Sequence, residues 1–577
     1  MNKILYLLFI FFSSLAYASD QLEPIIQYGD RFHPVPGEKG MVVSQERIAS
    51  QVGADILAQG GNAADAAVAT GFALAVTLPQ AGNIGGGGFM LLYLAKQDKT
   101  IAIDYREMAP AAAIEDLFLD DAGNVDQQKA RFSHQSAGVP GTVAGLLHVQ
   151  QQYGRLSLKE VLQPAIKLAK NGLVVDYPFS QAISSASKRL SANPASSNYF
   201  LDEQGREPQP GALFKQTDLA KTLTRISRKG RDGFYRGKTA DLIVEDMKAN
   251  GGLITHADLE SYRVVERIPV ASDFSGYRIV SMPPPSSGGV HLIQILNILE
   301  GYEPKSLQHN SAQYLHYFIE AARRAYADRS QYLGDTDFYA VPVNQLISKE
   351  YAAYLQKQID PSQASLSVDV EPALSRYEES PQTTHYSVWD SDGNVVSSTY
   401  TLNFSFGSGI SVPGAGFLLN NEMDDFSAKP GAPNAYGLLG NKANAISPGK
   451  RPLSSMTPTL VFKDGKPVLA TGSPGGSTII TVVAQVILNM LVFDMNVAEA
   501  TAVPRIHHQW FPDVLAWEQG ISPDTRQRLA EMGHILRPEK SVLGRVQSIE
   551  RQGKILKGYS DNRWPGGAAI PAEQGKK

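Results

Sequence analysis

The stretch from Thr383 to Leu402 sets the tightest constraint this chain places on its own fold. Thr383 to Asp390 and Asn394 to Leu402 are rich in β-branched and aromatic residues and flank Ser391-Asp392-Gly393, with glycine available for a left-handed turn position. The pattern predicts an antiparallel hairpin. With those three residues as the loop, Asp390 pairs with Asn394 and Thr401 falls opposite Thr383, within cross-strand reach. A two-residue loop shifts the register by one and puts Leu402 there instead.

Thr383 opens this ribbon in the run Pro381-Gln382-Thr383-Thr384-His385-Tyr386-Ser387-Val388. Once the Gln382 to Thr383 bond is cut, the freed α-amine, with an ordinary pKa of about 7.7 to 8.0, is partly neutral at pH 7. It can then take the proton from the hydroxyl of the same residue, so nucleophile and base share one backbone unit. A charged, Ser- and Pro-containing stretch, about Asp360 to Gln382, leads up to the bond and reads as an exposed connector where a cut is tolerated.

The chain has no cysteine, which excludes a thiolate nucleophile, a thiolate-bound metal and a disulfide framework. Its net charge of -4 offers no basic surface for nucleic acid or anionic lipid, leaving small molecules as the expected partners. Lys3, the apolar run Ile4 to Leu15 and Ala16-Tyr17-Ala18 follow the order of a secretory signal over residues 1–18, too short to anchor in a membrane. A secretory signal on a large chain without disulfides points to a periplasmic or secreted bacterial enzyme. The length of 577 residues and apolar content of 43% allow a large core and, as a loose ceiling, three or four domains.

Glu46 to Leu78 reads as helix, with Asn62 able to cap the Ala-rich part, Ala63 to Leu78, before Pro79. Ala81-Gly82-Asn83-Ile84-Gly85-Gly86-Gly87-Gly88 then leads into two strand candidates, Phe89 to Leu94 and Thr100 to Tyr105. These glycines run loop into strand with no Lys-Ser/Thr after them, so close backbone packing explains them better than a phosphate cradle. Gly138 to Gln358 reads as mostly helical, including Ser311 to Tyr332. Thr471-Gly472-Ser473-Pro474-Gly475-Gly476-Ser477 precedes an apolar segment, Thr478 to Phe493, that reads as a buried helix.

Several groups offer chemistry. The Gly475 and Gly476 amides, at the positive end of a following helix, suit an oxyanion, or form a plain turn. Asn403 and the cluster Asn420-Asn421-Glu422-Met423-Asp424-Asp425 supply acceptors for an ammonium, a metal or a helix cap. Arg106, in Asp104-Tyr105-Arg106-Glu107, suits a bidentate carboxylate contact or a salt bridge, and Arg451-Pro452-Leu453-Ser454-Ser455-Met456 offers adjacent hydroxyls. His507-His508 is no metal pair, because neighbours on a strand face opposite ways. Ser185-Ala186-Ser187-Lys188 and Ser560-Asp561-Asn562 echo penicillin-recognising enzymes, but no Lys-Thr-Gly accompanies them.

The Thr383 to Val388 run, Asn420 to Phe426, Arg451 to Met456, Gly472 to Gly476 and Asp104 to Pro110, in that set, resemble the motifs of the γ-glutamyltransferase (glutathione hydrolase) family, bacterial type, over nearly all of the mature chain. The resemblance implies an α+β N-terminal-nucleophile hydrolase, a four-layer αββα sandwich shared by two subunits of one self-cleaving precursor: a large subunit 19–382 and a small one 383–577. It implies Thr383 as nucleophile for processing and turnover, assisted by Thr401. Arg106, Ser454 and Ser455 would hold the substrate α-carboxylate; Asn403, Glu422 and Asp425 its α-amino group; Gly475 and Gly476 the oxyanion. A loop, Pro430 to Asn441, would cover the pocket through Tyr436. The implied substrates are glutathione and other γ-glutamyl compounds, with water, an amino acid or a dipeptide as acceptor and no cofactor or metal. Glu422 stands where bacterial relatives often have Gln. Cephalosporin acylases and capsule-processing depolymerases share this scaffold, but their glutaryl or polymeric substrates do not call for the ammonium-binding pair or the Tyr436 segment.

Overall fold

The hairpin forms with the three-residue loop. Thr384 pairs with Tyr400 and Trp389 with Val395, and the Asp390 amide donates to the Asn394 carbonyl at 3.1 Å. Continuing that register sets Thr383 opposite Thr401, and Gly393 takes the left-handed turn position at φ +88°. Asp390 organises the corner: one carboxylate oxygen accepts from the Asp392 and Asn394 amides (3.0 and 2.9 Å), the other from the Ala63 amide at 2.9 Å. Register and helix placement are thereby tied to one side chain.

In this computed structural model, residues 32–370, 383–429 and 431–573 are described. The expected signal segment 1–18, residues 371–382 of the connector with Gln382, Pro430 and Lys577 lie outside them. From Phe32 onward the chain forms one unit, not the several its length allows.

The hairpin is the centre of an antiparallel seven-stranded sheet. Its order is Ala568–Pro571, Gly40–Ser44, Thr384–Asp390, Val395–Thr401, Gly87–Leu94, Lys99–Tyr105, Val265–Arg267. A second antiparallel sheet of seven runs Val35–Gly37, Ile555–Ser560, Gln547–Gln552, Lys466–Thr471, Thr459–Lys463, Tyr277–Ser281, Val270–Phe274. Each sheet mixes strands from both sides of Thr383, so neither part of the sequence can bury its apolar face alone.

Side-chain alternation sorts the core into layers. Val42, Met90, Leu92, Tyr386 and Val388 join one cluster with the helices packed on the first sheet. Met41, Val43, Phe89, Leu91, Trp389 and Val395 join another with Val461 and Leu469 of the second sheet. That cluster continues into the helices Gly288–Glu300, Ala312–Tyr332 and Ile479–Leu491. The result is helix, sheet, sheet, helix, as the resemblance implied. Each fully buried Val, Leu, Ile, Phe or Met contributes about 1.5 to 3 kcal/mol.

The expected helix from Glu46 to Leu78 is two: Arg47–Ala58, capped by Glu46, and Ala63–Thr77, capped by Asn62 in a reciprocal bond with Asp65. Gly60, at φ +97°, breaks the run. Every residue of the second helix is buried, which its alanines permit by letting backbones approach. The middle is helical as expected but, besides the two-residue pair Leu173–Val174 and Leu213–Phe214, also gives three strands from Val265 to Ser281. Two of them are too short and too polar to signal themselves.

Candidate active site

Thr383 sits at the lip of the first sheet, on the face toward the second, because Trp389, an even number of residues along, faces that way. Its Oγ1 donates to Thr401 Oγ1 at 3.3 Å, and Thr401 Oγ1 also accepts the Asn403 amide at 2.9 Å. The glycine loop makes this edge possible: a Cβ on Gly86 would lie 2.0 Å from the Thr401 carbonyl, and one on Gly85 2.1 Å from that of Leu418. Close backbone approach is their function, as expected.

A small cavity opens beside Thr383. Of the residues expected at the site, Thr383, Thr401, Arg106, Asn403, Glu422, Asp425, Ser454, Ser455, Tyr436 and Gly476 line it. Gly475 stands one position back along the turn, and Gln382 is outside the described residues. The structure thus brings together groups separated by up to 370 positions in sequence (Arg106 to Gly476).

Gly475 and Gly476 have φ of +141° and +56°, and the turn is held by Thr478, whose amide and Oγ1 donate to the Gly475 carbonyl at 3.1 and 2.8 Å. Neither glycine amide donates a hydrogen bond among the described residues. They stand ahead of the helix Ile479–Leu491, which adds its positive end. A Cβ on Gly476 would meet the Tyr436 ring at 2.7 Å. The covering ring therefore rests on the turn itself.

Glu422 to Asp425 is a short 3-10 turn rather than a helix cap. Asn420 fixes it: its side chain accepts the Glu422 amide at 3.0 Å and donates to the Gly85 and Gly138 carbonyls at 2.8 Å. Glu422 and Asp425 both pair with Arg106. Arg106 Nε donates to the Pro452 carbonyl at 3.2 Å, and a terminal nitrogen to that of Leu453 at 3.3 Å. The fork that the sequence offers to a ligand carboxylate is thus filled by protein groups.

Glu107 lies 3.7 Å from the same guanidinium. Burial raises Glu422 and Asp425 above the ordinary carboxylate range, and their proximity to each other and to Glu107 adds for Glu422, while Arg106 opposes. Burial brings Glu107 up to about 7. One guanidinium faces three crowded carboxyls.

The Tyr436 hydroxyl donates to the Asn403 carbonyl at 2.9 Å and meets its side-chain oxygen; Asn403 takes φ +73° to present them. Sequence reasoning missed the groups that hold this segment. Asp424 accepts the Ala435 amide at 3.1 Å, and Gln509 donates to the Tyr436 carbonyl at 2.9 Å. Their contacts are backbone-directed and leave no spacing signal. It also missed Arg329, which lines the cavity from the helix Ala312–Tyr332.

His507 and His508 diverge as expected, the first to Thr481 (2.7 Å), the second to Asp513 (3.1 Å). Burial pushes His508 down to about 4, which suits a structural residue. Ser185 is exposed and bonds its own helix at Gln181 (2.8 Å), far from any nucleophilic arrangement.

The chain is similar to known proteins over most of its length. The family model described as gamma-glutamyltranspeptidase matches residues 49–570. The chain is 51% identical over 529 residues to the glutathione hydrolase proenzyme of Escherichia coli (strain K12), covering 91% of each. It is 38% identical to the acylase ACY 1 proenzyme of Pseudomonas sp. (strain SE83), over 89% of this chain and 90% of that one. The crystal structure of cephalosporin acylase from Bacillus halodurans superposes with a TM-score of 0.85 at 29% identity, covering 98% of this chain and all (100%) of the other. With a matched family model spanning most of its length and a relative at 51% identity, this chain belongs to the gamma-glutamyltranspeptidase family.

Proposed function

We propose that this protein is a precursor that cleaves itself between Gln382 and Thr383 and then, as a large part 19–382 and a small part 383–577, transfers the γ-glutamyl group of glutathione and related amides to water or to an amino acid or dipeptide. The observation that carries this is the Thr383 hydroxyl, 3.3 Å from Thr401 Oγ1, on a cavity it shares with Arg106, Asp425 and Gly476. Nucleophile, charged recognition groups and a glycine turn meet in one small space.

The chemistry follows from placement. The freed Thr383 amine takes the Oγ1 proton, and Oγ1 attacks the γ-carbonyl carbon. Thr401 Oγ1, fixed by the Asn403 amide, orients the attacking oxygen. The Gly475 and Gly476 amides face the oxyanion, where one such donor is worth roughly 2.7 to 4 kcal/mol. Collapse returns the proton to the departing amine, and water or an acceptor amine then cleaves the ester. Tyr436 closes the cavity against solvent, strengthening each polar contact.

Arg106, Ser454 and Ser455 hold the α-carboxylate, and Asn403, Glu422 and Asp425 the α-ammonium. That carboxylate pair favours γ-glutamyl over glutaryl donors, which bring no ammonium to a buried acidic position. The N-terminal order of charge, hydrophobe and small residues supports a signal over 1–18 and a periplasmic or secreted location. No helix among the described residues is long and apolar enough to cross a membrane.

A denaturing gel with amine release from a γ-glutamyl anilide tests the reading. Two bands and release are expected of the wild type. An unbroken chain that still releases the amine would defeat it.

A further inference from the structure

Asp328 is a buried carboxylate with no cation to meet it. It is 6% exposed and precedes Arg329 on the helix Ala312–Tyr332. Successive helix positions point about 100° apart, so the two neighbours serve different spaces. Arg329 lines the Thr383 cavity and Asp328 a separate cleft, and the two share no lining residue. Gln294 donates to one Asp328 oxygen at 2.5 Å, and the Tyr351 hydroxyl reaches both, at 3.1 and 3.0 Å. Those donors are neutral, and among the described residues Asp328 forms no ion pair.

Arg324 is the one basic side chain among the described residues on the cleft, and it is spent elsewhere. It pairs with Glu320 at 2.6 Å and donates to the Gln358 carbonyl (2.7 Å) and the Ser365 hydroxyl (3.2 Å). Asp369 adds a second acid to the wall. A carboxylate buried without a cation is costly to keep charged, and burial pushes Asp328 up to about 6. Tyrosines complete the cleft. Tyr332 follows Asp328 by one turn on the same helix face, and Tyr351 and Tyr354 stand three apart on the helix Lys349–Gln356, their rings stacked at 6.2 Å. Tyr332 and Tyr354 keep 37% and 59% of their surface exposed, and such electron-rich ring faces attract cations. The cleft holds about 660 Å³, within the range of small-molecule sites.

We infer that this cleft is a second binding site, for a small organic cation: an ammonium head meets Asp328 while an apolar or aromatic body lies against Tyr332 and Tyr354. Asp328 and Asp369 together turn anions away. The site stands apart from the γ-glutamyl reading, because none of its groups lines the Thr383 cavity.

The test is calorimetry of the purified protein at neutral pH with benzylamine, which is then protonated, and with benzyl alcohol, its neutral counterpart of the same shape. The amine should bind saturably and about tenfold or more tighter than the alcohol, as expected of a charge-assisted hydrogen bond to a buried carboxylate. D328N, which keeps an acceptor for Tyr351 but removes the charge, should weaken amine binding roughly 10- to 100-fold and abolish the preference over the alcohol. Y354L, which removes one ring, should weaken it roughly 2- to 10-fold. Equal binding of amine and alcohol, no saturable amine binding, or an affinity unchanged by either substitution overturns the proposal.

Should D328N fail to fold, crystals of the wild type grown with 4-bromobenzylamine decide, the bromine being located by its anomalous scattering. The amine nitrogen is expected within about 4 Å of an Asp328 carboxylate oxygen, the range of an ion pair. A ligand found only elsewhere, the Thr383 cavity included, overturns the proposal.

Discussion

The two ends of the cavity are built from different materials. The recognition end is dense in charge: Arg106, Glu422 and Arg329, all buried, and the half-buried Asp425, with Glu107 behind them. The reacting end carries hydroxyls and glycine amides, Thr383, Thr401, Gly475 and Gly476, and no ionisable side chain among them. On the proposed function, charge would fix a zwitterionic substrate where direction matters, and neutral dipoles would meet a charge that appears only during reaction. On the same reading the base for turnover is the amine freed when the Gln382 to Thr383 bond breaks, so turnover, unlike that first cut, waits on processing.

The largest effect that could break this contrast lies at the reacting end. Thr383→Ala should leave one band on a denaturing gel and lower amine release by about 10⁴-fold or more, the scale seen when a nucleophile is removed. Full processing of that variant would move the chemistry elsewhere.

At the recognition end, Arg106→Ala strands two buried carboxylates, a change that costs about 3 to 5 kcal/mol. The melting temperature should fall and KM rise, with kcat less affected. A fall in kcat alone would mean Arg106 belongs with the reacting groups.

Gly476→Ala probes where the ends meet. Its Cβ would crowd the Tyr436 ring at 2.7 Å, from a left-handed φ of +56°, so kcat/KM for the anilide should drop roughly 10- to 100-fold through displaced cover and turn. A variant with unchanged kcat/KM would show that neither matters to turnover.

The smallest effect is on stability. His385 lies between the sheets, beside Thr399 (2.7 Å), and burial holds it down to about 3. The folded state keeps it neutral while the unfolded chain protonates near pH 6.5, so its contribution is present above 6.5 and lost as pH falls toward 3. The slope is about 1.4 kcal/mol per pH unit in that window. Melting curves of His385→Asn should show a shallower acid loss than wild type, and parallel slopes would assign the acid sensitivity to other groups.

Much of this was legible in the chain. The hairpin register followed from counting outward from Ser391-Asp392-Gly393, because turn chemistry and alternation are local. The Ala-rich helix, its Asn62 cap and the divergence of His507 from His508 followed for the same reason. The helix break at Gly60 and the strands near Val265 did not, since a glycine pair is tolerated in some helices and short polar strands carry no period.

The sequence by itself determined the nucleophile candidate, its facing hydroxyl and the kinds of groups available for recognition, all properties of neighbouring residues or of motif. Only the tertiary structure decided who holds whom: that Arg106 is already engaged by Glu422 and Asp425, that Gln509 steadies Tyr436, and that Arg329 enters from a helix whose pattern showed only a buried face. Those partnerships join residues hundreds of positions apart. Their energies depend on burial and on competing charges that no local spacing encodes.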